Sequence, residues 1–416
     1  MDFSDTPEEA EFRARARAFL EANAERRKPG EVAGYRRGQD EPGALEAAKA
    51  FQAKKAAAGF AGIAWPKEWG GQGGSQIQQV IYNQEEAQFK VVSGFFTLGL
   101  GMIIPTICTW GTPAQRERFA GPALRGEEVW CQLFSEPAGG SDLAALRTRA
   151  DRDGDHWVIN GQKIWTSGAH YSDFGALVAR TDFSQPKHKG LTYFWVDMKT
   201  PGIEIQQIRQ MTGSRHFNQV FFRDVRIADS QRIGPVGDGW KVAITTLMNE
   251  RHATGEAPGP DVGELIELAR QVETESGRAI DDPAVQERIA EFYVRTMGLR
   301  FTKFRTMTAL SRGTTPGPES SIGKLVTASK LQEITAFGLD LLGMAGPLDA
   351  RTMPLAGIFE EALLYSPALR IAGGTDEILR NIIAERVLGL PADVRIDKDL
   401  PFTDVPTGPR RGRDAG

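Results

Sequence analysis

Patterns typical of β-strands are confined to one stretch in the middle of this chain, between two longer stretches of helical character. Apolar residues with helical spacing dominate residues 5–125 and 240–388. Short runs rich in β-branched and aromatic residues, separated by Gly, Asp, Asn and Pro, occur at 157–161, 174–179, 191–196 and 220–222. The sequence therefore predicts an α+β protein in which a small β domain is inserted between helical domains.

The predicted boundaries give an N-terminal helical domain (1–127), a middle β domain (128–238), a C-terminal helical domain (239–391) and a tail (392–416). A length of 416 residues is consistent with about two to four domain-sized units. The tail is rich in Pro, Asp, Arg and Gly, which favours a loose segment. Its basic cluster at 409–413 is more typical of a solvated end than of a binding motif.

Composition argues against several classes of function. The formal charge of −4, from 50 basic and 54 acidic side chains, lacks the basic excess that nucleic acid binding needs. Two cysteines, Cys108 and Cys131, are too few for a disulfide framework and are expected to be small buried residues. The five histidines are scattered without the paired spacing of metal ligands, so no metal site is predicted.

One uncharged segment, 91–110, is long enough to span a bilayer. Its Gly, Pro, Ser and Thr residues weaken insertion, and a buried central helix explains it better. The acidic start of the chain leads into an Arg-rich amphipathic stretch that is unlike a secretory leader. Together these features predict a cytoplasmic protein.

Two short stretches, 133–142 (LFSEPAGGSD) and 163–168 (KIWTSG), favour a flavin site. Each has a hydroxyl residue beside main-chain amides, in a turn where a strand begins or ends. Ser135, Ser167 and Trp165 could supply the fixed hydrogen-bond partners and the aromatic wall that a reduced isoalloxazine ring needs. Either stretch alone is more typical of an ordinary Gly/Ser turn, but their pairing and the C-terminal features favour the flavin site.

Near the C-terminus, Gly373 and Gly374 precede a predicted helix that ends near Gly389. Thr375 is its predicted N-cap, so the free main-chain amides of the first turn could bind a phosphate or another anion. The alternative is that Asp376 and Glu377 satisfy the helix dipole themselves.

The order of these features resembles the acyl-CoA dehydrogenase family, over nearly the whole chain up to Pro391. The motifs that carry the resemblance are AWPKEWGG (64–71), SEPAGGSD (135–142), the Trp165 stretch, FNQVFFRDVR (217–226), Gly239-Trp240 and GTDEI (374–378). The resemblance implies the fold of that family: an N-terminal helical domain, a middle β-barrel-like domain and a C-terminal four-helix-bundle-like domain. It also implies an enzyme of lipid catabolism that removes an α-proton and a β-hydride from an acyl thioester.

The resemblance further implies FAD as cofactor and assigns its contacts residue by residue. The implied cofactor-binding residues are Leu133, Phe134, Ser135, Gly140, Ser141, Trp165, Thr166, Ser167, Arg278, Thr375 and Glu377; the substrate-side residues are Ser141, Arg251, Gly373 and Gly374. The family's Arg-x-x-Phe-Gly sequence, which reaches the FAD of the neighbouring subunit, is missing near Arg278. An exposed arginine at a helix end explains Arg278 equally well. Met344 stands where the family's adenine-proximal segment commonly has glycine.

The catalytic base is the main departure from the commonest family pattern. Many members carry a glutamate immediately before the Gly-Thr pair, where this chain has Gly373. Glu250 follows a helical stripe of apolar residues, Trp240, Ala243, Ile244 and Leu247. A carboxylate on such a stripe is either a desolvated base or part of a structural ion pair, and spacing alone does not separate the two. The long-chain and isovaleryl members, which this chain resembles here, place the base at the position of Glu250.

Two alternatives to a dehydrogenase stay open: a flavin oxidase or monooxygenase on the same scaffold, or a partner subunit of a heteromeric acyl-CoA dehydrogenase. The expected partners are an acyl-CoA substrate, an electron-transfer flavoprotein and further subunits, in a homodimer, a homotetramer or a heteromer with a related chain. Ala372 and Gly373 remove bulk near the reacting carbons, which favours a branched, long or ring-bearing acyl group.

Overall fold

The computed structural model describes residues 5–28, 41–92, 94–253, 259–275, 277–311, 317–343, 355–395 and 397–406. The chain divides into two units, each discontinuous in sequence. The helical unit comprises Met1–Gly94, Gln210–Ser214 and Thr254–Pro391. The sheet unit comprises Phe95–Arg209, Arg215–Ala253 and Ala392–Gly416. The predicted α+β organisation, with helical, sheet and helical parts in that order along the chain, is confirmed.

The helices of the described residues follow in chain order. They are α1 (Pro7–Asn23), α2 (Ala44–Ala57), α3 (Gln76–Glu86), α4 (Ile104–Trp110), α5 (Pro113–Leu124), α6 (Gly239–Ala253), α7 (Val262–Gln271), α8 (Pro283–Ser311), α9 (Ser320–Leu342), α10 (Ala356–Leu369) and α11 (Asp376–Ile382). Capping boxes at Thr6/Glu9 and Ser75/Gln78 begin α1 and α3, because each pair satisfies two amides of the first turn reciprocally. In the C-terminal part of the helical unit, α7 to α10 bury a shared apolar core.

The strands form one main sheet in the sheet unit. They are β1 (Trp130–Leu133), β2 (Arg149–Asp153), β3 (His156–Ser167), β4 (Phe174–Arg180), β5 (Leu191–Asp197), β6 (Ile203–Ile208), β7 (Phe217–Ala228) and β8 (Arg232–Ile233); β9 (Glu273–Thr274) and β10 (Gly277–Arg278) form a separate ribbon. The order is β6-β7-β3-β2-β4-β5-β8, with β1 parallel to β4. All four predicted runs lie in strands, and β2 escaped prediction because its sequence is almost entirely charged.

The uncharged segment 91–110 is not the single helix that its composition predicts. It contains a 3₁₀ turn at Gly94–Phe96, a π-helical turn at Gly99–Ile103 and then α4. The backbone is helical without a break from residue 97 to Trp110, and the π-helical turn is a bulge within this shorter helix. Among the described residues, the structure contains no helix with the length and apolarity needed to cross a bilayer.

The described part of the C-terminal tail differs from the loose segment predicted by composition. Phe402 is only 4% exposed, and its amide donates to the carbonyl of Gln185 at 2.9 Å. The basic cluster at 409–413 lies outside the described residues. The composition of the tail did not predict this packing because a single buried aromatic residue can anchor an otherwise polar segment.

Candidate functional site

The first predicted flavin stretch forms the turn that follows β1. Glu136 and Gly139 close this turn by exchanging main-chain hydrogen bonds, each 3.0 Å long. The predicted residues differ in burial: Leu133 and Phe134 are buried, Ser135 is half-buried, and Gly140 and Ser141 are exposed. Main chain and hydroxyl groups at the surface of this turn are therefore open to a ligand.

The structure brings the two predicted stretches together. The amide of Ile164 donates to the carbonyl of Ser135 at 2.9 Å, and the ammonium of Lys163 donates to the carbonyl of Phe134 at 3.0 Å. The sequence placed both stretches at strand ends, which is confirmed, since β1 ends at Leu133 and β3 ends at Ser167. These contacts join them into one local site.

A buried ion pair, which the sequence reasoning missed, holds this junction. Lys163 Nζ lies 2.8 Å from Glu136 Oε1, and the Lys163 side chain has no exposed surface. Glu136 also accepts hydrogen bonds from the amides of Arg147 and Thr148, at 2.6 and 2.8 Å. Burial alone would raise the pKa of Glu136, but the charge of Lys163 and these donors together lower it.

A signal for this pair was present in the strand pattern. Trp157 and Ile159 point inward on β3, and alternation carries the same face to position 163, where Lys163 is indeed buried. A lysine on an inward face needs a carboxylate partner, because an unpaired buried charge is too costly. Glu136 is that partner.

Trp165 has an unusual backbone conformation. Its φ of 59° lies in the left-handed region that bulky residues avoid, at an irregularity in the pairing of β3 with β7 between Lys163 and Thr166. Its side chain is 55% exposed and touches Phe217 edge-on, with ring centroids 5.8 Å apart. Strained residues that present an aromatic surface to solvent are typical of ligand sites.

The next residue supplies an unpaired hydroxyl. Thr166 is buried, and its Oγ1 has no hydrogen-bond partner among the described residues. A buried hydroxyl without a partner costs free energy that a bound ligand can recover. An exposed aromatic surface next to an unpaired buried hydroxyl fits a planar cofactor with polar ring edges, as the sequence predicted. Ser167 follows at the half-buried end of β3.

The buried face of α6 differs from the predicted one. Ala243 is buried as expected, but Ile244 is 37% exposed, and Val242 and Thr246 are buried instead. The Thr246 hydroxyl lies 3.0 Å from Thr106 Oγ1 and 3.2 Å from the Tyr193 hydroxyl. The pattern of apolar residues did not predict this face because Thr246 is polar. Its hydroxyl can be buried because it forms hydrogen bonds in the interior.

The predicted base lies on the same helix. Glu250 comes seven residues after Ala243 and four after Thr246, so helical spacing assigns position 250 to the corrected buried face. The helix includes Glu250 and Arg251, but their side chains lie outside the described part of the structure.

The predicted cap at the C-terminal helix is confirmed in the helical unit. The Thr375 hydroxyl accepts from the amide of Ile378 at 3.3 Å, which makes it the N-cap of α11. Asp376 is buried and its Oδ2 accepts from Arg370 Nε at 2.7 Å. Glu377 is exposed, and local hydrogen bonds to its own main chain and to Thr375 lower the pKa of its carboxyl. The charge of Glu377 is therefore stabilised at the helix start, and Asp376 forms an ion pair with Arg370.

Of the other predicted residues in the helical unit, Gly373 and Arg278 are exposed and Gly374 is half-buried. Gly373 and Gly374 have φ values of 67° and 96°, a conformation that favours glycine. Arg278 pairs with Asp281 at 3.0 Å, and both side chains are more than half exposed. This ion pair explains the position of the Arg278 side chain without a contact to the cofactor. Met344 lies outside the described residues.

Comparison with known families identifies the class of protein that this fold and site define. The family models described as acyl-CoA dehydrogenase N-terminal, middle and C-terminal domains match residues 6–127, 131–225 and 237–388. The chain belongs to the acyl-CoA dehydrogenase family. Its members are oxidoreductases acting on CH–CH groups, and they bind FAD. Both the resemblance and the predicted cofactor are confirmed.

Among individual relatives, acyl-CoA dehydrogenase IpdE1 of Mycobacterium tuberculosis is 38% identical over 403 residues, covering 92% of this chain and 98% of IpdE1. Acyl-CoA dehydrogenase FadE34 of the same organism is 41% identical over 329 residues, covering 79% of this chain. The chain spans less than half of FadE34, since the match covers 44% of that protein.

Two solved structures are similar over almost the whole chain. The ChsE4-ChsE5 complex from Mycobacterium tuberculosis matches with a TM-score of 0.76 and 28% identity, covering 94% of this chain and 100% of that chain. The Tcur3481-Tcur3483 steroid ACAD matches with a TM-score of 0.76 and 27% identity, with the same coverage. Both are assemblies of two named chains.

Proposed function

We propose that this protein catalyses the FAD-dependent α,β-dehydrogenation of an acyl-CoA thioester to a trans-2-enoyl-CoA, with Glu250 as the α-proton base. The observation that carries the proposal is the corrected face of α6. Ala243 and Thr246 are buried on that face, and helical spacing continues it to position 250. The other family position for a base is Gly373, which has no proton acceptor.

One set of residues would contact the cofactor, and another set would contact the substrate. When bound, FAD accepts the hydride from the β-carbon. Trp165 provides the aromatic surface against which the ring packs, and Thr166 and Ser167 provide hydrogen bonds at its edge. The main chain from Leu133 to Ser135 would hold the pyrimidine part of the ring.

On the substrate side, Glu250 would remove the α-proton as the general base. Ser141 and Arg251 bind the thioester and its CoA portion. The family resemblance assigns Gly373 and Gly374 to the substrate side, where they would add no side-chain bulk. The proposed acceptor of the electrons is an electron-transfer flavoprotein.

The acyl group that we propose is bulky and ring-bearing, of the steroid type. Ala372 and Gly373 provide little side-chain volume at the start of α11. One of the similar structures is named a steroid ACAD, which supports the same class of substrate. A panel of acyl-CoA thioesters, from short straight chains to steroid side chains, tests this choice by anaerobic bleaching of the flavin.

The test of the base is Glu250→Gln, which keeps the shape of the side chain and removes the basic oxygen. Loss of a general base costs about 10²–10⁴-fold in rate, so anaerobic flavin reduction at saturating substrate should slow by that factor while FAD stays bound. Glu287→Gln, which removes a carboxylate from an exposed position on α8, is the matched control. Bleaching of Glu250→Gln at the wild-type rate would rule out Glu250 as the base.

A second variant asks whether position 373 borders the same carbon. Gly373→Glu in the Glu250→Gln background should restore part of the bleaching rate. We expect partial rescue only, since a non-glycine residue at a φ of 67° costs about 1–2 kcal/mol. Reoxidation of the substrate-reduced flavin by oxygen at a rate that supports turnover would favour the oxidase alternative, and a flavin that acyl-CoA does not bleach but an external reductant does would favour the monooxygenase alternative.

A further inference from the structure

The end of the described chain is packed into the sheet unit beside the SEPAGGSD turn. We call residues 397–405 the C-terminal strap. Phe402 donates its amide to the carbonyl of Gln185 at 2.9 Å, and Thr403 donates to the carbonyl of Phe183 at 3.3 Å. Pro401 forms a β-bridge with Pro186. The strap therefore rests on the connection between β4 and β5.

The first anchor of the strap is aromatic. The Phe402 ring centroid lies 3.6 Å from Cζ of Arg180, which is fully buried. Arg180 donates to the carbonyls of Ala144 and Leu146 at 2.6 and 3.1 Å. Those carbonyls belong to the turn that follows Ser141 and Asp142. Phe402 thus covers the guanidinium that holds this turn, and a cation under an aromatic face is stabilised by it.

The second anchor is ionic. Lys187 Nζ lies 2.8 Å from Asp142 Oδ2 and 2.6 Å from Asp397 Oδ2, and the Lys187 side chain is only 10% exposed. One largely buried ammonium therefore joins the last residue of the SEPAGGSD motif to the first residue of the strap. Because both carboxylates share one cation, loss of the cation would leave two like charges facing each other.

We propose that the C-terminal strap is a positioning element for residues 140–146, and that it sets the affinity of the protein for the CoA portion of its substrate. Arg180 and Lys187 are its positioning residues, and they act through Ser141 and the turn beyond it. The effect on substrate rests on the proposed function, since the assignment of Ser141 to CoA belongs to that proposal. The positioning of residues 140–146 by the strap does not depend on the proposed function.

Hydrogen–deuterium exchange of the full chain tests the positioning directly. Asp397→Asn removes one carboxylate from Lys187, and Phe402→Ala removes the aromatic cover of Arg180. Exchange in peptides covering residues 137–146 should rise about two- to fivefold in each variant, as expected for loss of a modest ionic contact. Asp399→Asn removes the same charge from an exposed position of the strap and should leave exchange unchanged.

The variants also make a kinetic prediction with a distinct signature. KM for the acyl-CoA should rise severalfold in Asp397→Asn and Phe402→Ala, while the anaerobic bleaching rate of the FAD-loaded protein at saturating substrate stays near wild type. Phe402→Tyr keeps the aromatic face and should restore KM. If the strap had only a structural role, the variants would lower the melting temperature without raising KM at an unchanged kcat.

Two failures are distinguishable. If no acyl-CoA bleaches the wild-type flavin, the proposed function fails, and the exchange experiment still tests the strap. If exchange of residues 137–146 in Asp397→Asn and Phe402→Ala matches that of Asp399→Asn, the strap does not position the turn and the inference is overturned.

Discussion

Trp165 combines a strained backbone conformation with an exposed aromatic side chain. A φ of 59° costs a bulky residue about 1–2 kcal/mol, and the exposed indole recovers little of that cost by packing. Such strain persists only when the surrounding structure imposes it. Here the flanking residues are fixed, because Lys163 is held by Glu136 and the carbonyl of Thr166 accepts from Asn218 Nδ2 at 2.9 Å.

Trp165→Gly should therefore separate stability from cofactor binding. Glycine accepts the left-handed conformation, although its larger backbone entropy in the unfolded chain offsets about 0.5–1 kcal/mol of that gain. The free energy of unfolding of the apoprotein should stay within about 1 kcal/mol of wild type, by the difference of these two terms. FAD retention, followed by flavin absorbance after gel filtration, should fall clearly. Trp165→Ala keeps the strain and should be the less stable of the two; equal FAD retention in all three proteins would contradict the role given to the indole.

The buried ion pair beneath the site predicts a large loss of stability when it is broken. Lys163→Met leaves the carboxylate of Glu136 buried without its cation, which typically costs about 3–5 kcal/mol. Urea denaturation of the apoprotein measures this loss. The double variant Lys163→Met/Glu136→Gln removes both charges and should recover part of the stability. Additive losses in the double variant would show that the two charges do not interact.

A pH dependence follows from Asp229, in the turn after β7. Hydrogen bonds from Arg232 and from Trp157 Nε1 lower the pKa of Asp229 from 3.8 to about 2. A depressed pKa contributes stability that is fully present above the unfolded value and is lost as the pH falls toward about 2. Asp229→Asn should therefore destabilise the protein more at pH 6 than at pH 3, by urea midpoints. Asp399→Asn, an exposed control, should show no such difference between the two pH values.

At the scale of elements, prediction succeeded where local chemistry determines structure. Thr375 was predicted as an N-cap because it lies between the Gly373-Gly374 pair and a run of apolar residues with helical spacing, and it caps α11 in the structure. The β-runs were recognised by their β-branched and aromatic residues. These signals act within a few residues of each other, so the sequence alone carries them.

The predictions failed where the structure depends on contacts between residues that are far apart in the sequence. The buried face of α6 depends on hydrogen bonds of Thr246 to Thr106 and Tyr193, which lie 140 and 53 residues away in sequence. The positive φ of Trp165 depends on how β3 pairs with β7, and packing of the tail depends on Arg180. None of these partners is visible in a local pattern, because tertiary contacts override the propensity of a segment.

At the scale of the whole molecule, the helical unit leaves large apolar side chains exposed. Val294 and Phe301 are seven residues apart on α8, with Tyr293 beside them, and all three are more than half exposed. Ile371, Leu388 and Leu390 near α11 are exposed as well. Contiguous exposed apolar surface commonly marks an interface between proteins, which supports the prediction that the chain assembles with further subunits.

Assembly through α8 is testable by adding charge to this face. Val294→Glu combined with Phe301→Glu should convert the oligomer, measured by light scattering at working concentration, to smaller species, because burying two carboxylates in an apolar contact is costly. Ala18→Glu, at an exposed position on α1, adds charge elsewhere in the helical unit and should leave the assembly intact. If wild type alone is an inactive homo-oligomer that gains flavin and activity when mixed with a related chain, the heteromer is the working form. An active, FAD-loaded wild-type monomer would contradict assembly of either kind.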